Sequence, residues 1–337
     1  MQEIQMSDLP KPRLLDQVRR SIRVLGYSES TEDAYCSWIK RFILYHNKRH
    51  PDTMAATEVE LFLTYLADIE YVSASTQNQA LSALLFLYKH VMHTPLDQRI
   101  EAAPAKQYKH LPTVLSVDEV RRLFGELSGT KRLMAELTYG AWMRLMEVHN
   151  IRVGDIDFEA KRLLVKDGKG RKDRYTLLPL DLVHPLLQQV SSVAAIHSDD
   201  LLKGLGSAVL PRAFYRKSKE ASRQLRWQFL FPSSSTFHDS ITGNSGRWHV
   251  NPSGLQNAVR HAAGKAQFNK RVSVHTLRHS FATHMLRDGC DIRTLQALLG
   301  HTNVNTTMIY AHIDDNFSLS ACSPLDRHSL HAAPGDA

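Results

Sequence analysis

Helical periodicity runs through residues 13 to 95 and then stops, and this interruption limits what the 337-residue chain can fold into more than any other feature. Leu14, Leu15, Val18, Ile22 and Leu25 recur at helical spacing, Arg19, Arg20 and Arg23 take other faces, and Gly26 offers a stop. A second stripe carries Tyr35, Trp38, Ile39 and Phe42. A third opens on a capping box of Thr57 and Glu60 ahead of Leu61, Phe62 and Leu66, and a fourth carries Leu81, Leu84, Leu85 and Tyr88. Four such stripes predict a small helical bundle over 13–95 with its aromatics in the core. Residues 96–112 lose the period and carry Pro104 and Pro112, which reads as a linker. Ser116 and Glu119 then form a second capping box, which restarts helix at the head of a larger domain over 113–322.

Within that domain the period changes. Arg162–Lys166 and Arg174–Leu178 flank Asp167-Gly168-Lys169-Gly170-Arg171-Lys172-Asp173, a hairpin pattern, so the expected fold is mainly α with a small β-sheet. Gly168-Lys169-Gly170 lacks the GxxxxGK[ST] spacing of a nucleotide-binding loop. Lys and Arg outnumber Asp and Glu by 42 to 34, a formal charge of +8 that favours a polyanionic partner. No stretch approaches the ~20 apolar residues of a membrane span, and the polar start lacks a signal core, so a cytoplasmic protein is expected. Cys36, Cys290 and Cys322 are far apart without a CxxC pair, which predicts thiols rather than disulfides or zinc ligands.

Chemistry-bearing residues gather in the second domain. A phosphodiester transesterification concentrates negative charge on the non-bridging oxygens of a phosphorane, and planar guanidiniums fit those oxygens better than ammonium does. Arg144 and Arg278 are the candidates for this clamp, with Glu147 as their support. His275 precedes Arg278 by one helical turn, so both can face one site. His279 and His284 lie near, but no HExxH accompanies them, and no metal or cofactor is expected. Gly300 can cap a helix and leave His301 just beyond it, and nine residues later Tyr310 is a candidate nucleophile. Attack by a phenolate would conserve the bond energy as a phosphotyrosine, and Lys169 at the hairpin tip could protonate the leaving hydroxyl.

In order and spacing, Arg144, Lys169, His275-x-x-Arg278, His301 and Tyr310 resemble the full catalytic set of the tyrosine recombinases. The resemblance implies a helical core-binding domain and a catalytic domain that clamp DNA as a C, a DNA partner, a homo-tetramer assembled on DNA, and a nucleoid-associated bacterial protein. A narrower resemblance is to the integron integrases, through Leu210-Pro211-Arg212-Ala213, Arg216-Lys217 and Trp227 to Ser233 in an extra segment of about 203–233. It implies recombination of gene cassettes between a duplex site and folded single-stranded hairpin sites. Arg212, Arg216, Lys219, Arg223 and Arg226 fall at spacings of four and three, which predicts one basic helical stripe tracking phosphates. Trp227, Pro232, Trp248 and His249 are the matching candidates for contact with protruding bases, with core burial the alternative for Trp227. Two positions depart from the pattern. Trp142 stands where relatives carry glycine, so a ring is expected to press on Arg144, and Gly246-Arg247-Trp248-His249 replaces Arg-Arg-His-His. Residues 323–337 read as a disordered tail, with Phe317, Leu319 and Leu325 as candidate docking groups for a neighbouring protomer. A phage- or Xer-type recombinase, a type IB topoisomerase, or a DNA-binding regulator disabled at Trp142 remain the alternatives.

Overall fold

The computed structural model describes residues 13–96, 112–166, 173–210, 218, 220–240, 242–291 and 294–295. Contacts divide the chain into two compact units, Met1–His110 and Leu111–Ala337. The first holds α1 (Leu14–Val24), α2 (Glu29–Tyr45), α3 (Ala56–Asp68) and α4 (Ala74–Phe86), which runs on into a π-helical turn, Leu87–Val91. Ser28 and Ser73 cap α2 and α4 by accepting the amides of Thr31 and Thr76. The cap of α3 lies two residues before the predicted one. The amide of Ala55 donates to the Glu58 carboxylate at 2.8 Å, and Thr57 falls inside the first turn. Ile22, Ile39, Phe42, Phe62, Leu66 and Leu84 form the core, and Trp38 and Tyr88 are buried beside them. The polar ends of both rings find partners, Trp38 Nε1 on Gln79 and the Tyr88 hydroxyl on the Met54 carbonyl.

In the second unit, α5 (Val117–Gly125), α6 (Gly129–Gly140) and α7 (Leu145–Asn150) precede a three-stranded antiparallel sheet. Its strands are β1 (Ile156–Asp157), β2 (Arg162–Val165) and β3 (Arg174–Leu177), and Val165 pairs with Arg174. The loop carrying Lys169 lies outside the described residues. Then come α8 (Val183–Leu202), a hairpin of β4 (Pro232–His238) and β5 (Ser245–His249), α9 (Pro252–Lys265) and α10 (Val274–Arg287). Helix α10 is the centre of this core: Leu277, Phe281 and Met285 are buried with Leu123, Phe124 and Leu137. Ser280 Oγ on α10 accepts the amide of Leu115 at 2.9 Å, which fixes the chain ahead of α5 to the helix that carries His275 and Arg278. Among the described residues, no helix is long and apolar enough to cross a membrane.

The described end of the extra segment differs from the predicted basic helix. Arg212, Arg216 and Lys219 lie outside the described residues, and Arg223 and Arg226 sit on separate 3-10 turns, Glu220–Arg223 and Leu225–Trp227. Gln224 between them is extended, so the spacing of three never becomes one helical stripe. Instead the segment is joined to the chain after α7. Ile151 and Val153 exchange backbone bonds with Leu230 and Gln228, and Arg152 donates to the carbonyls of Trp227 and Val209 while its guanidinium lies 4.5 Å over Phe229. Farther along, Arg247 forks onto Asp200 at 2.6 and 2.9 Å. Beside it, Gly246 meets residue 207 so closely that a Cβ would lie 1.9 Å from the Ser207 carbonyl oxygen. This close approach is the physical reason for glycine here, where arginine completes the familiar pattern. Gly246→Arg should therefore part the two backbones and lower stability by about 1–3 kcal/mol. Urea denaturation checks this, and an unchanged midpoint would show that the approach is dispensable.

Candidate active site

The short helix α7 starts at Arg144, whose extended backbone places it as N-cap. Three residues on, the carboxylate of Glu147 turns back, accepting the Arg144 amide at 2.7 Å and its Nη1 at 2.8 Å. The same carboxylate receives both terminal nitrogens of Arg174 from β3, at 2.9 and 2.8 Å. Arg278 Nη1, from α10, comes within 3.8 Å of it. Three guanidiniums from three elements thus converge on one carboxylate whose side chain is 8% exposed. Burial pushes the Glu147 pKa up, but the bonds and charges of Arg174, followed by those of Arg144, outweigh it and hold the group at about 2.

Arg278 is anchored a second time by donating from Nη1 to the carbonyl of Trp142. Trp142 adopts a left-handed backbone, φ 52°, a conformation that favours glycine and is strained for a bulky side chain. Its indole is buried and packs against the Arg278 guanidinium, whereas the Arg144 guanidinium stands 5.8 Å from the ring and keeps its pairing with Glu147. The expected pressure on Arg144 is therefore a contact with Arg278. Just upstream, Thr176 Oγ1 on β3 donates to the Ala141 carbonyl at 2.8 Å, which ties the turn to the sheet.

His275 lies in the first turn of α10 and is solvent-accessible, and His279 follows one turn later, half-buried. Partial desolvation, then the positive charges of Arg278 and Arg144, lower the His275 pKa, so the ring is neutral near physiological pH. His279 is lowered likewise, by burial and then by His275 and Arg278. His284 takes no place in this group: its Nδ1 meets the buried Tyr139 hydroxyl at 2.8 Å. The geometry brings together Arg144, Glu147, His275 and Arg278, and it adds Arg174. His301 and Tyr310 lie outside the described residues.

Of the candidate base contacts, Trp248 is 45% exposed on β5, while His249 is buried among Phe229, Trp248 and His149. Pro232 opens β4 and is half-buried. Trp227 is half-buried against Ala208, Leu210 and Ala221, with Lys166 Nζ 4.9 Å from its ring centroid. Arg174 was not singled out from the sequence, because the burial of its strand face is seen only in the fold. It shares a strand face with the buried Thr176, and an arginine on an inward face needs a partner.

Residues 113–316 match the phage integrase family, and residues 14–98 match the phage integrase N-terminal SAM-like domain. An integrase/recombinase of Escherichia coli is 43% identical over 93% of this chain and 93% of its own length. A tyrosine recombinase of Thermosipho africanus is 29% identical over 90% of this chain and 95% of its own. Among solved structures, a lambda integrase (75–356) dimer bound to a COC′ core site aligns with a TM-score of 0.59 at 15% identity, covering 91% of this chain and 98% of that one. A lambda integrase tetramer bound to a Holliday junction aligns at 0.54 with 16% identity, covering 86% and 76%.

The Trp142 side chain should stabilise the fold in spite of its backbone. Replacing it by glycine relieves about 1–2 kcal/mol of left-handed strain but removes about 3–5 kcal/mol of packing, a net loss of roughly 1–4 kcal/mol. Urea denaturation of Trp142→Gly measures the balance; a gain in stability would mean that the strain outweighs the packing.

Proposed function

This chain belongs to the phage integrase family, the tyrosine recombinases, and on that footing we propose that Tyr310 attacks a scissile DNA phosphate held by Arg144 and Arg278. The observation that carries this reading is the convergence of those two guanidiniums, with His275 one helical turn from Arg278. A phosphodiester carries one negative charge and its phosphorane a second, and a site with more guanidiniums than carboxylates is built to bind both. As the phenolic oxygen bonds to phosphorus, the bond to the 5′-oxygen breaks, leaving a 3′-phosphotyrosine and a 5′-hydroxyl. Lys169 supplies the proton to that leaving oxygen. His275 takes up the phenolic proton and returns it on rejoining, and His301 orients the phosphate. Rejoining is the reverse step, with a 5′-hydroxyl from a second strand as attacker, so the bond energy is conserved and no nucleotide or metal is consumed.

The similarity to an integrase/recombinase and to a tyrosine recombinase supports the broader description, a phage- or Xer-type recombinase, which on this reading acts on duplex sites. The narrower description is an integron integrase that exchanges gene cassettes between a duplex site and folded hairpin sites. Its support is the segment from Gly206 to His249, which is hydrogen-bonded to the chain just after α7 and presents Trp248 to solvent on a second hairpin. On this reading Trp248, with His249 packed against it, meets protruding bases, and Trp227 and Pro232 are further candidate contacts. Arg212, Arg216, Lys219, Arg223 and Arg226 follow phosphates, with Arg223 and Arg226 on separate turns. The lambda integrase tetramer on a Holliday junction is the precedent for proposing four protomers on DNA here. A disabled DNA-binding regulator is the remaining reading, with Trp142 as its one supporting feature.

Denaturing gels of protein incubated with nicked suicide substrates, EDTA present, decide among these. The wild type should form a covalent adduct and Tyr310→Phe should bind without forming one. An adduct retained in Tyr310→Phe would move the nucleophile elsewhere. Trp248→Ala should weaken reaction on a folded hairpin with protruding bases by at least about tenfold more than on plain duplex. Equal losses would favour the duplex-site reading, and binding without any adduct would favour the regulator.

A further inference from the structure

We propose that Arg174 is a positioning residue for DNA cleavage, the fixed counter-ion of Glu147 that leaves Arg144 and Arg278 able to turn their guanidiniums to the scissile phosphate. The proposal rests on the recombinase reading above. It starts from the unequal way the three arginines hold one carboxylate. Arg174 places Nη1 on one Glu147 oxygen and Nη2 on the other, at 2.9 and 2.8 Å, a fork matched to the plane of the acid. The Arg144 guanidinium touches the carboxylate through Nη1, with 28% of its side chain exposed, and Arg278 stands 3.8 Å away while bonding to the Trp142 carbonyl. Arg174, 12% exposed and carried on a strand tied to the Ala141 carbonyl through Thr176, is committed to Glu147 by both terminal nitrogens.

An incoming phosphate puts a second anion beside an ionised, buried carboxylate. If Arg144 and Arg278 were the partners balancing Glu147, the phosphate would have to compete with it for both of them. A dedicated third guanidinium removes this competition. Glu147 can then hold the Arg144 amide and set the start of α7, while the guanidiniums of Arg144, which gives it one nitrogen, and of Arg278, 3.8 Å off, are shared with the substrate. Arg174 does not need to reach DNA for this purpose, and its burial and double pairing suit a residue acting through Glu147. Lysine would keep the charge but lose the fork.

The test uses the full chain and single-turnover formation of the covalent adduct on a nicked duplex suicide substrate. Arg174→Gln should slow adduct formation by about 100-fold, the scale of a misplaced reactive group, and Arg174→Lys should fall between it and the wild type. The decisive arm is Arg174→Gln combined with Glu147→Gln. With the carboxylate neutral no counter-ion is needed, so the double variant should react at least about tenfold faster than Arg174→Gln alone, an outcome that a purely structural role does not produce. Arg174→Gln reacting like the wild type, or a double variant no faster than the single one, overturns the proposal. So does failure of both Arg174→Gln and the double variant to fold by circular dichroism, which would make Arg174 a scaffold residue. If the wild type itself forms no adduct, it is the recombinase reading that falls, and this inference with it.

Discussion

A buried carboxylate surrounded by arginines is the interaction on which the catalytic unit depends. Glu147 caps the helix that begins at Arg144, pairs with Arg174 across from β3, and lies near Arg278 on α10. Each partner comes from a different element, so this one side chain sets the relative position of a helix start, a strand and the central helix. Burial alone would drive such an acid toward its neutral form, and the guanidiniums reverse that balance. The resulting site carries surplus positive charge in a partly desolvated place, which suits a phosphate that gains charge as it reacts.

The same short helix connects that site to the extra segment. Its chain enters at Arg144 and leaves through Ile151 and Arg152, whose backbone and guanidinium hold residues 227–230 and the carbonyl of Val209. Arg247 and Asp200 fasten the second hairpin to the end of α8. The exposed Trp248 is thereby carried on a platform joined to the helix that starts at Arg144 through backbone bonds, and to α8 through a partly buried ion pair, rather than on a free loop.

The bundle of the first unit was legible because its apolar residues repeat at 3.6, a local property that survives folding. Arg144 with Glu147 was legible for a related reason: a side chain three residues past a helix start can reach back to it whatever the rest of the chain does. Arg174 was not legible as a partner, since its contact with Glu147 joins a strand to a helix across the fold. The basic residues at 223 and 226 had helical spacing but formed 3-10 turns, because backbone bonds from Ile151 and Val153 impose an extended path on residues 228–230. The hairpin of β4 and β5 was hidden by its polar strand, Ser233-Ser234-Ser235-Thr236, which lacks the alternation of a half-buried strand. Trp142 read as an obstacle to Arg144, and only the fold shows its ring and carbonyl turned to Arg278.

The charge state of Glu147 is the central claim, and the 13C carboxyl shift of this residue in labelled protein, followed from about pH 6 down to about pH 3, tests it most directly. An ordinary glutamate titrates near about 4.3. Since the folded value is depressed to about 2, the stabilisation from this group should be present above the unfolded value and lost as pH falls through the folded one. The account predicts a resonance that stays that of the carboxylate throughout this range. A midpoint near the ordinary value would mean that the arginines do not hold the acid, and the arrangement built on it would not stand.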